Sequence, residues 1–279
     1  MKKIAILLTV HNRKTKTLQC LEQVFTQEIL DGFHWEVYLT NDGCTDGTPE
    51  AVAEQYPTVH IVGGDGTLFW NRGMYKAWSE AAKKDYDYYL WLNDDTYLFP
   101  NGIKSMINAS EKENKCSIIV GSTSSAENEK LTYGGYDRND QLIFPNGNLQ
   151  SCNYFNGNCV LIPSTVYQKV GNLDYRYRHA IGDIDYGLRA LKKGISLIIA
   201  PSLIGHCEKH DSYPIWCNKF QKLNLRLKYL YSPLGNNPFK FFIFEFRHFG
   251  LMIAIKHFFS IHLRAFIPQL WYKRKKQGI

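Results

Sequence analysis

The chain has 279 residues, of which 44% are hydrophobic and 14% aromatic, and carries a formal net charge of +7. That apolar content fills one large α/β domain, or one domain with a smaller appendage, and excludes global disorder. Seven cysteines, irregularly spaced and without a CxxC pair, exclude a zinc ribbon and a disulfide framework and leave reduced thiols in a cytoplasmic protein.

The elements alternate from the start. Lys3–Val10 is a continuous apolar run, expected as a strand buried on both faces. In "MKKIAILLTVHNR" that run is too short for a signal h-region with a cleavage site. Lys14–Gln27 has helical spacing at Leu18, Leu21, Val24 and Phe25. Trp35–Thr40 reads as a second strand, "NDGCTDGT" as a turn into a helix over Pro49–Gln55, and Val59–Val62 as a third strand. Phe69–Lys84 is a helix and Tyr86–Leu92 a fourth strand. This order predicts a doubly wound, mostly parallel sheet with helices on both faces. Ligands bind such sheets beyond the C-terminal strand ends. Three polar clusters fall there, His11–Arg13, Asn41–Asp46 and Asn93–Thr96, and are expected to converge on one cleft.

Further along, Ser117–Ser122 and Val160–Pro163 read as strands, and Leu131–Tyr136 with Gln141–Phe144 as a hairpin around Asp137–Asp140. Asp183–Lys193 is a helix closed by Gly194, and Ile195–Ala200 a late strand. The C-terminal segment differs. Residues 215–279 hold twelve Lys and Arg against one acid, Glu245, so the body before them is mildly acidic. Nine phenylalanines between Phe239 and Phe266 alternate with Lys240, Arg247, Lys256 and Arg264, and Trp271, Tyr272 and Lys273–Lys276 follow. An aromatic face with basic flanks suits a helix lying in a membrane interface. Docking on the protein's own core or dimerisation are the alternatives. Nucleic acid is not an expected partner, because the charge lacks the accompanying motifs. The organisation is thus an α/β body over 1–212, with halves 1–96 and 97–212, followed by a basic aromatic helical segment over 213–279.

Several residue sets carry chemistry. Asn93-Asp94-Asp95-Thr96 ends a strand with two adjacent carboxylates, able to hold Mg²⁺ or Mn²⁺ with positions open for substrate phosphates. A helix cap or a salt bridge would use the same residues. Asp42, directly after a strand, could accept from a base imide N–H or serve an Asx turn. "GGDGT" at Gly63–Thr67 lacks the Lys-Ser/Thr pair of a phosphate loop.

The segments "LLTVHNR", "LTNDGCTDGT", "GDGTLFWNRGMYKAW", "YYLWLNDDTYLFP", "NYFNGNCVLIP" and "GDIDYGLRALKKG", in this order, resemble inverting GT-A glycosyltransferases of family 2, closest to the rhamnosyltransferase-like members of surface-polysaccharide assembly. The resemblance runs from Ile4 to about His206 and implies that 1–212 is a catalytic domain, with 1–96 its nucleotide-binding half and 97–212 its acceptor half. It implies a GT-A fold in which Thr9, Val10, His11 and Arg13 line the nucleotide pocket and Asp42 reads a pyrimidine. Asn71 and Gly73 would face the nucleotide sugar, with Arg72 or Trp70 nearby. "NDD" would be the DxD element, with Asn93 in place of the usual first acid. Asp95 would be the metal ligand, with Asp94 supporting ribose, sugar or metal. "GDIDYGLRA" would be the Glu-Asp-x-Asp segment, with Gly182 in place of the leading acid. The general base would be Asp183, with Asp185 as rival. His206 would be a late metal or diphosphate ligand, and His210 lies one helical turn beyond it in sequence. The implied partners are a UDP- or dTDP-sugar, a saccharide acceptor and a divalent Mn²⁺ or Mg²⁺; the basic aromatic segment adds the expectation of a lipid-linked saccharide acceptor and of contact with the inner face of the plasma membrane. Two other readings compete. A sugar nucleotidylyltransferase needs a Gly-rich loop after the first strand, and "TVHNRKT" has no glycine. A non-catalytic, membrane-associated sugar-nucleotide-binding protein would draw on Gly182.

Overall fold

The computed structural model describes residues 1–28, 31–209 and 213–270. The chain divides into two compact units, Met1–Tyr175 with Asp183–Lys209, and Arg176–Gly182 with His210–Ile279.

The larger unit opens with β1 (Lys2–Val10), α1 (Lys14–Phe25), β2 (Phe33–Asn41), α2 (Thr48–Gln55), β3 (His60–Gly63), α3 (Phe69–Ala81) and β4 (Tyr88–Leu92). Then come β5 (Tyr97–Leu98), α4 (Gly102–Lys112), β6 (Ile118–Ser124) and the short strands β7 (Leu131–Tyr133), β8 (Gly135–Tyr136), β9 (Gln150–Ser151) and β10 (Tyr154–Phe155). β11 (Cys159–Pro163), α5 (Ser164–Val170), α6 (Gly182–Lys192) and β12 (Leu197–His206) complete it. The main sheet runs β3-β2-β1-β4-β11-β6-β12-β5. Strands β3, β2, β1 and β4 are mutually parallel, and β11 enters antiparallel between β4 and β6. A strand covered on both faces must be apolar throughout, and β1 divides its side chains by the two-residue period. Ile4, Ile6, Leu8 and Val10 join the core formed with α1, α2 and α4, whereas Ala5 and Leu7 join the core formed with α3, α5 and α6. In β4, Tyr88, Leu90 and Leu92 take the first side and Tyr89 and Trp91 the second.

Two expectations need adjustment. The hairpin around Asp137–Asp140 forms only in short, as an antiparallel bridge between Tyr136 and Leu142 with the Asp137 N–H donating to the Gln141 carbonyl and the Ile143 N–H to the Gly135 carbonyl, both at 2.9 Å. The rest of its length pairs elsewhere, β7 with β6 and β8 with β10. Non-local partners capture these short segments because two isolated strands bury too little to stand alone. The late strand also runs past Ala200 to His206, through two register shifts against β6. Gly205 makes this possible, since a Cβ there would lie 2.3 Å from the Tyr97 carbonyl oxygen in β5. β5 is the short strand immediately after the acid pair, so this approach places the end of β12 beside it.

The smaller unit contains α7 (Leu223–Tyr231), α8 (Pro238–Phe249) and α9 (Leu251–Phe266). Asn237 caps α8 by accepting from the Phe239 and Lys240 amides, and Gly250 at φ +91° separates α8 from α9. Its core is Trp216, Leu230, Ile261 and Ala265. No helix among the described residues is long and apolar enough to cross a membrane. His210 and residues 271–279, with Trp271, Tyr272 and the lysine-rich end, lie outside the described residues.

Candidate active site

The strand register brings the polar clusters together. Val10 is paired with Asn41, so His11 meets Asp42 one residue later. The Asp42 N–H donates to the Val10 carbonyl at 2.9 Å, and His11 Nδ1–H donates to the Asp42 carbonyl at 2.6 Å. On the other side of β1, Leu7 is paired with Trp91, which delivers Asn93–Thr96 to the same edge.

Asp94 and Asp95 are buried, with 5% and 8% of their surface exposed. One group faces both. Arg13 Nη1 lies 3.0 Å from Asp94 Oδ1 and 2.8 Å from Asp95 Oδ2. Arg13 is held there as the residue capping α1, and Thr17, one turn into that helix, places its hydroxyl 3.5 Å from Asp94 Oδ2. Burial pushes the Asp94 carboxyl up to about 6, with the like charge of Asp95 adding to it against the pull of Arg13. Cys207 Sγ, next in sequence to His206, is 3.8 Å from Asp95 Oδ1. His206 itself lies at the end of β12, with Nδ1 3.2 Å from Ser124 Oγ and its ring edge-on to Phe99.

Asn93 connects this acid pair to Asp183. The Trp70 indole N–H donates to Asn93 Oδ1 at 2.7 Å, and the Asn93 N–H donates to the Asn158 carbonyl at 2.9 Å. Next to Asn158, Gly157 donates its N–H to Asp183 Oδ2 at 2.9 Å. A Cβ on Gly157 would come within 2.6 Å of the Trp70 ring and 3.2 Å of Asp183 Cβ, so only glycine lets indole and carboxylate close around this turn. Asp183 also accepts from the Ile184 N–H at 2.9 Å and remains partly exposed. Burial raises its carboxyl above the ordinary range, partly offset by those backbone amides. A carboxylate so held can take a proton from a hydroxyl within reach.

The remaining expected residues are engaged in contacts within the fold. Asp42 is 3% exposed, and its carboxylate accepts from the amides of Gly66 (2.8 Å), Leu68 (3.2 Å) and Phe69 (2.9 Å). These bonds fix the loop that starts α3 and correspond to the turn role open to Asp42 beside base reading. Gly73 is a packing glycine, because a Cβ would lie 2.0 Å from Thr9 Oγ1 where α3 crosses β1. Thr9 is thereby half-buried beneath α3, and Val10 belongs to the core. Asn71 is fully buried, donating Nδ2–H to the Asp174 carbonyl. Arg72 donates to the Tyr175 carbonyl and lies 4.4 Å from the centre of that ring. Asp185, the rival base, is wholly buried and accepts from Arg189 Nε at 2.8 Å, while Arg189 also holds the Val170 and Asn172 carbonyls. That pairing holds the Asp185 carboxylate in the interior, whereas the Asp183 carboxylate stays partly exposed. Trp70, expected near the nucleotide sugar, is found here as the partner of Asn93, and Gly157 is the residue of this cluster that sequence reasoning did not assign. The "NGN" within "NYFNGNCVLIP" was the available signal, a glycine between two polar residues at the start of a buried strand.

The acid pair suits a divalent cation. Two neighbouring carboxylates already share one cationic nitrogen, and oxygen donors are what Mg²⁺ and Mn²⁺ prefer. Among the described residues no group of three or more His, Cys, Asp and Glu is placed to hold a metal. An ion here would therefore take one or two carboxylates and complete its shell with substrate oxygens.

The model of the family described as Glycosyl transferase family 2 matches residues 5–180. The N-acetylglucosaminyl-diphospho-decaprenol L-rhamnosyltransferase of Mycobacterium tuberculosis is 22% identical over 209 residues, which is 63% of this chain and 67% of that protein. Among solved structures, S. aureus TarS 1–349 aligns with a TM-score of 0.54 at 11% identity, over 74% of this chain and 60% of that one. The mannosyltransferase PcManGT from Pyrobaculum calidifontis, in complex with GDP-Man and Mn²⁺, aligns with a TM-score of 0.56 at 12% identity, over 92% of this chain and 73% of that one. TarS 1–349 has also been solved with UDP. These structural likenesses bear out the α/β, GT-A architecture.

Proposed function

We propose that this protein, which belongs to glycosyl transferase family 2, is an inverting sugar transferase that uses a UDP- or dTDP-linked donor and a hydroxyl of a lipid-linked saccharide acceptor. It would act at the cytoplasmic face of the plasma membrane, in the assembly of a bacterial surface polysaccharide. The observation that carries this reading is the line Asp183–Gly157–Trp70–Asn93, which ties a partly exposed carboxylate of raised pKa to the strand end bearing Asp94 and Asp95.

Asp183 is the general base. It takes the proton of the acceptor hydroxyl as that oxygen attacks the anomeric carbon, and a single displacement inverts the centre. Asp185 is the positioning residue behind it, anchoring the first turn of α6 through Arg189. Asn93 and Trp70 border the donor, and Asp42 keeps the adjoining loop in shape. Asp95, with Asp94 beside it, would hold a divalent cation, for which the Mn²⁺ in PcManGT is the supporting precedent. When bound, that ion neutralises charge on the departing diphosphate. Arg13 holds the two carboxylates together and supplies a second positive charge at the same edge. His206 stands at the end of β12, the next residue being within reach of Asp95.

A thermal-shift panel of UDP-, dTDP- and GDP-sugars, with and without Mn²⁺, tests the reading. A ligand that binds only the native state raises its melting temperature. A UDP- or dTDP-sugar is expected to do so, more strongly with Mn²⁺. The absence of a shift with any of them would remove the nucleotide-sugar assignment.

A further inference from the structure

Helix α9 is apolar on two faces. Ala254, Ile261 and Ala265 are buried, and Ile261 and Ala265 pack with Trp216 and Leu230. On a different face, Met252, Ile255, Phe259, Leu263 and Phe266 are 80, 39, 67, 43 and 50% exposed. Their spacing of three or four residues follows the helical period, so they form one stripe along the whole helix. α8 adds Phe239, Phe246 and Phe249, at 59, 56 and 51% exposure and again at helical spacing. An apolar helix face of this kind requires a cover, since water-soluble monomers seldom leave such patches open.

The charge identifies the cover. Glu245 is the one acid in residues 215–279. It is only 8% exposed, with Oε1 2.5 Å from His257 Nδ1. Against it the same stretch of sequence holds twelve Lys and Arg, of which Lys256 is exposed beside the α9 stripe and Lys240 on α8 is partly exposed. Lys273–Lys276 follow in sequence. We propose that the outer faces of α8 and α9 dock on an anionic lipid bilayer, with the phenylalanines, Met252 and Leu263 entering the acyl boundary and the basic residues meeting the headgroups. Neither helix is long enough to span, so each lies along the interface. A second copy of the chain is a poorer cover, because it would bring two strongly basic segments together, while an anionic surface attracts them. The surface deepens the membrane-face location given under the proposed function and does not depend on the transfer chemistry.

Co-sedimentation of the full chain with vesicles tests this. The protein is expected to bind vesicles containing about one-third phosphatidylglycerol, weakly or not at all to pure phosphatidylcholine, and to dissociate at high salt. The double variant Met252→Ser with Phe259→Ser should lower the partition coefficient roughly tenfold or more, and Lys256→Glu several-fold. These side chains are exposed, so unchanged melting curves are expected alongside. Failure of the wild-type protein to bind phosphatidylglycerol vesicles overturns the proposal whatever the variants do, as does equal binding to phosphatidylcholine. A dimer that dissociates on Phe259→Ser, without vesicle binding, assigns the stripe to a second copy. Donor-induced thermal shifts measured on the same preparations separate failure of this surface from failure of the transferase assignment.

Discussion

Replacing Asp183 by Asn separates chemistry from scaffold. Asn has nearly the same shape, but Asp183 accepts two backbone N–H groups, from Gly157 and Ile184, both at 2.9 Å. The Asn carbonyl oxygen can keep one, and its NH₂ group would face the other N–H. The lost hydrogen bond costs about 1 kcal/mol of stability, or a few degrees in Tm. Loss of the base slows transfer ~10²- to 10⁴-fold, equivalent to about 3–5 kcal/mol of barrier. The pH profile gives a second readout. Because burial raises the Asp183 carboxyl, the wild-type rate should climb with pH through a value above the ordinary carboxylate range and then level, and Asp183→Asn should lack that limb. The same shift has a stability sign. A raised folded pKa favours the native state at low pH, and that contribution is lost as pH rises through the folded value. Asp185→Asn should behave in the opposite way. It leaves Arg189 without its buried partner, a loss of about 3–5 kcal/mol for a buried pair, reduced here because Arg189 keeps two carbonyls and is 20% exposed. Its kcat should change little while the protein remains folded. Turnover against pH and urea unfolding on both variants are the assays. If Asp183→Asn retains rate within about threefold, or Asp185→Asn loses rate with its stability intact, the division of roles is wrong.

Three further outcomes are expected. Arg13→Gln leaves two buried carboxylates facing each other without their cation. Urea unfolding in EDTA should show a loss of about 2–3 kcal/mol, discounted because Arg13 is partly solvated, and millimolar Mn²⁺ should restore part of it. Asp42→Ala removes the acceptor for three loop amides. It should lower stability by several kcal/mol, at about 1–3 for each amide left unsatisfied, while UDP-to-GDP donor preference in the thermal-shift panel stays unchanged. Gly157→Ala drives a methyl group toward the Trp70 ring. The indole must leave Asn93, and donor affinity measured by calorimetry should fall by about tenfold, the worth of one buried hydrogen bond.

The sequence by itself determined much of this protein. The uninterrupted apolar run of β1 and the alternation that follows specify a buried parallel sheet, and in such a sheet the residues after each strand must lie along one edge. That reasoning places His11, Asp42 and Asn93–Asp95 together without any coordinates. The Gly-to-Asp start of α6 was equally legible, because acids at a helix start match its dipole. Local pattern could not decide which side chains remain available. Asp183 and Asp185 are two positions apart in the same helical turn, yet one is partly exposed and the other is enclosed with Arg189. Asp42 and Asp95 both follow buried strands, yet one is taken up by its own loop and the other faces a shared guanidinium. Arg13 reaches across 81 residues to Asp94, and Gly157 lies against Trp70 and Asp183. β8 and β10 likewise found each other across the expected hairpin. Spacing along the chain sets which face a residue points to, whereas burial and partners come from segments distant in sequence, and only the packed tertiary structure assembles those.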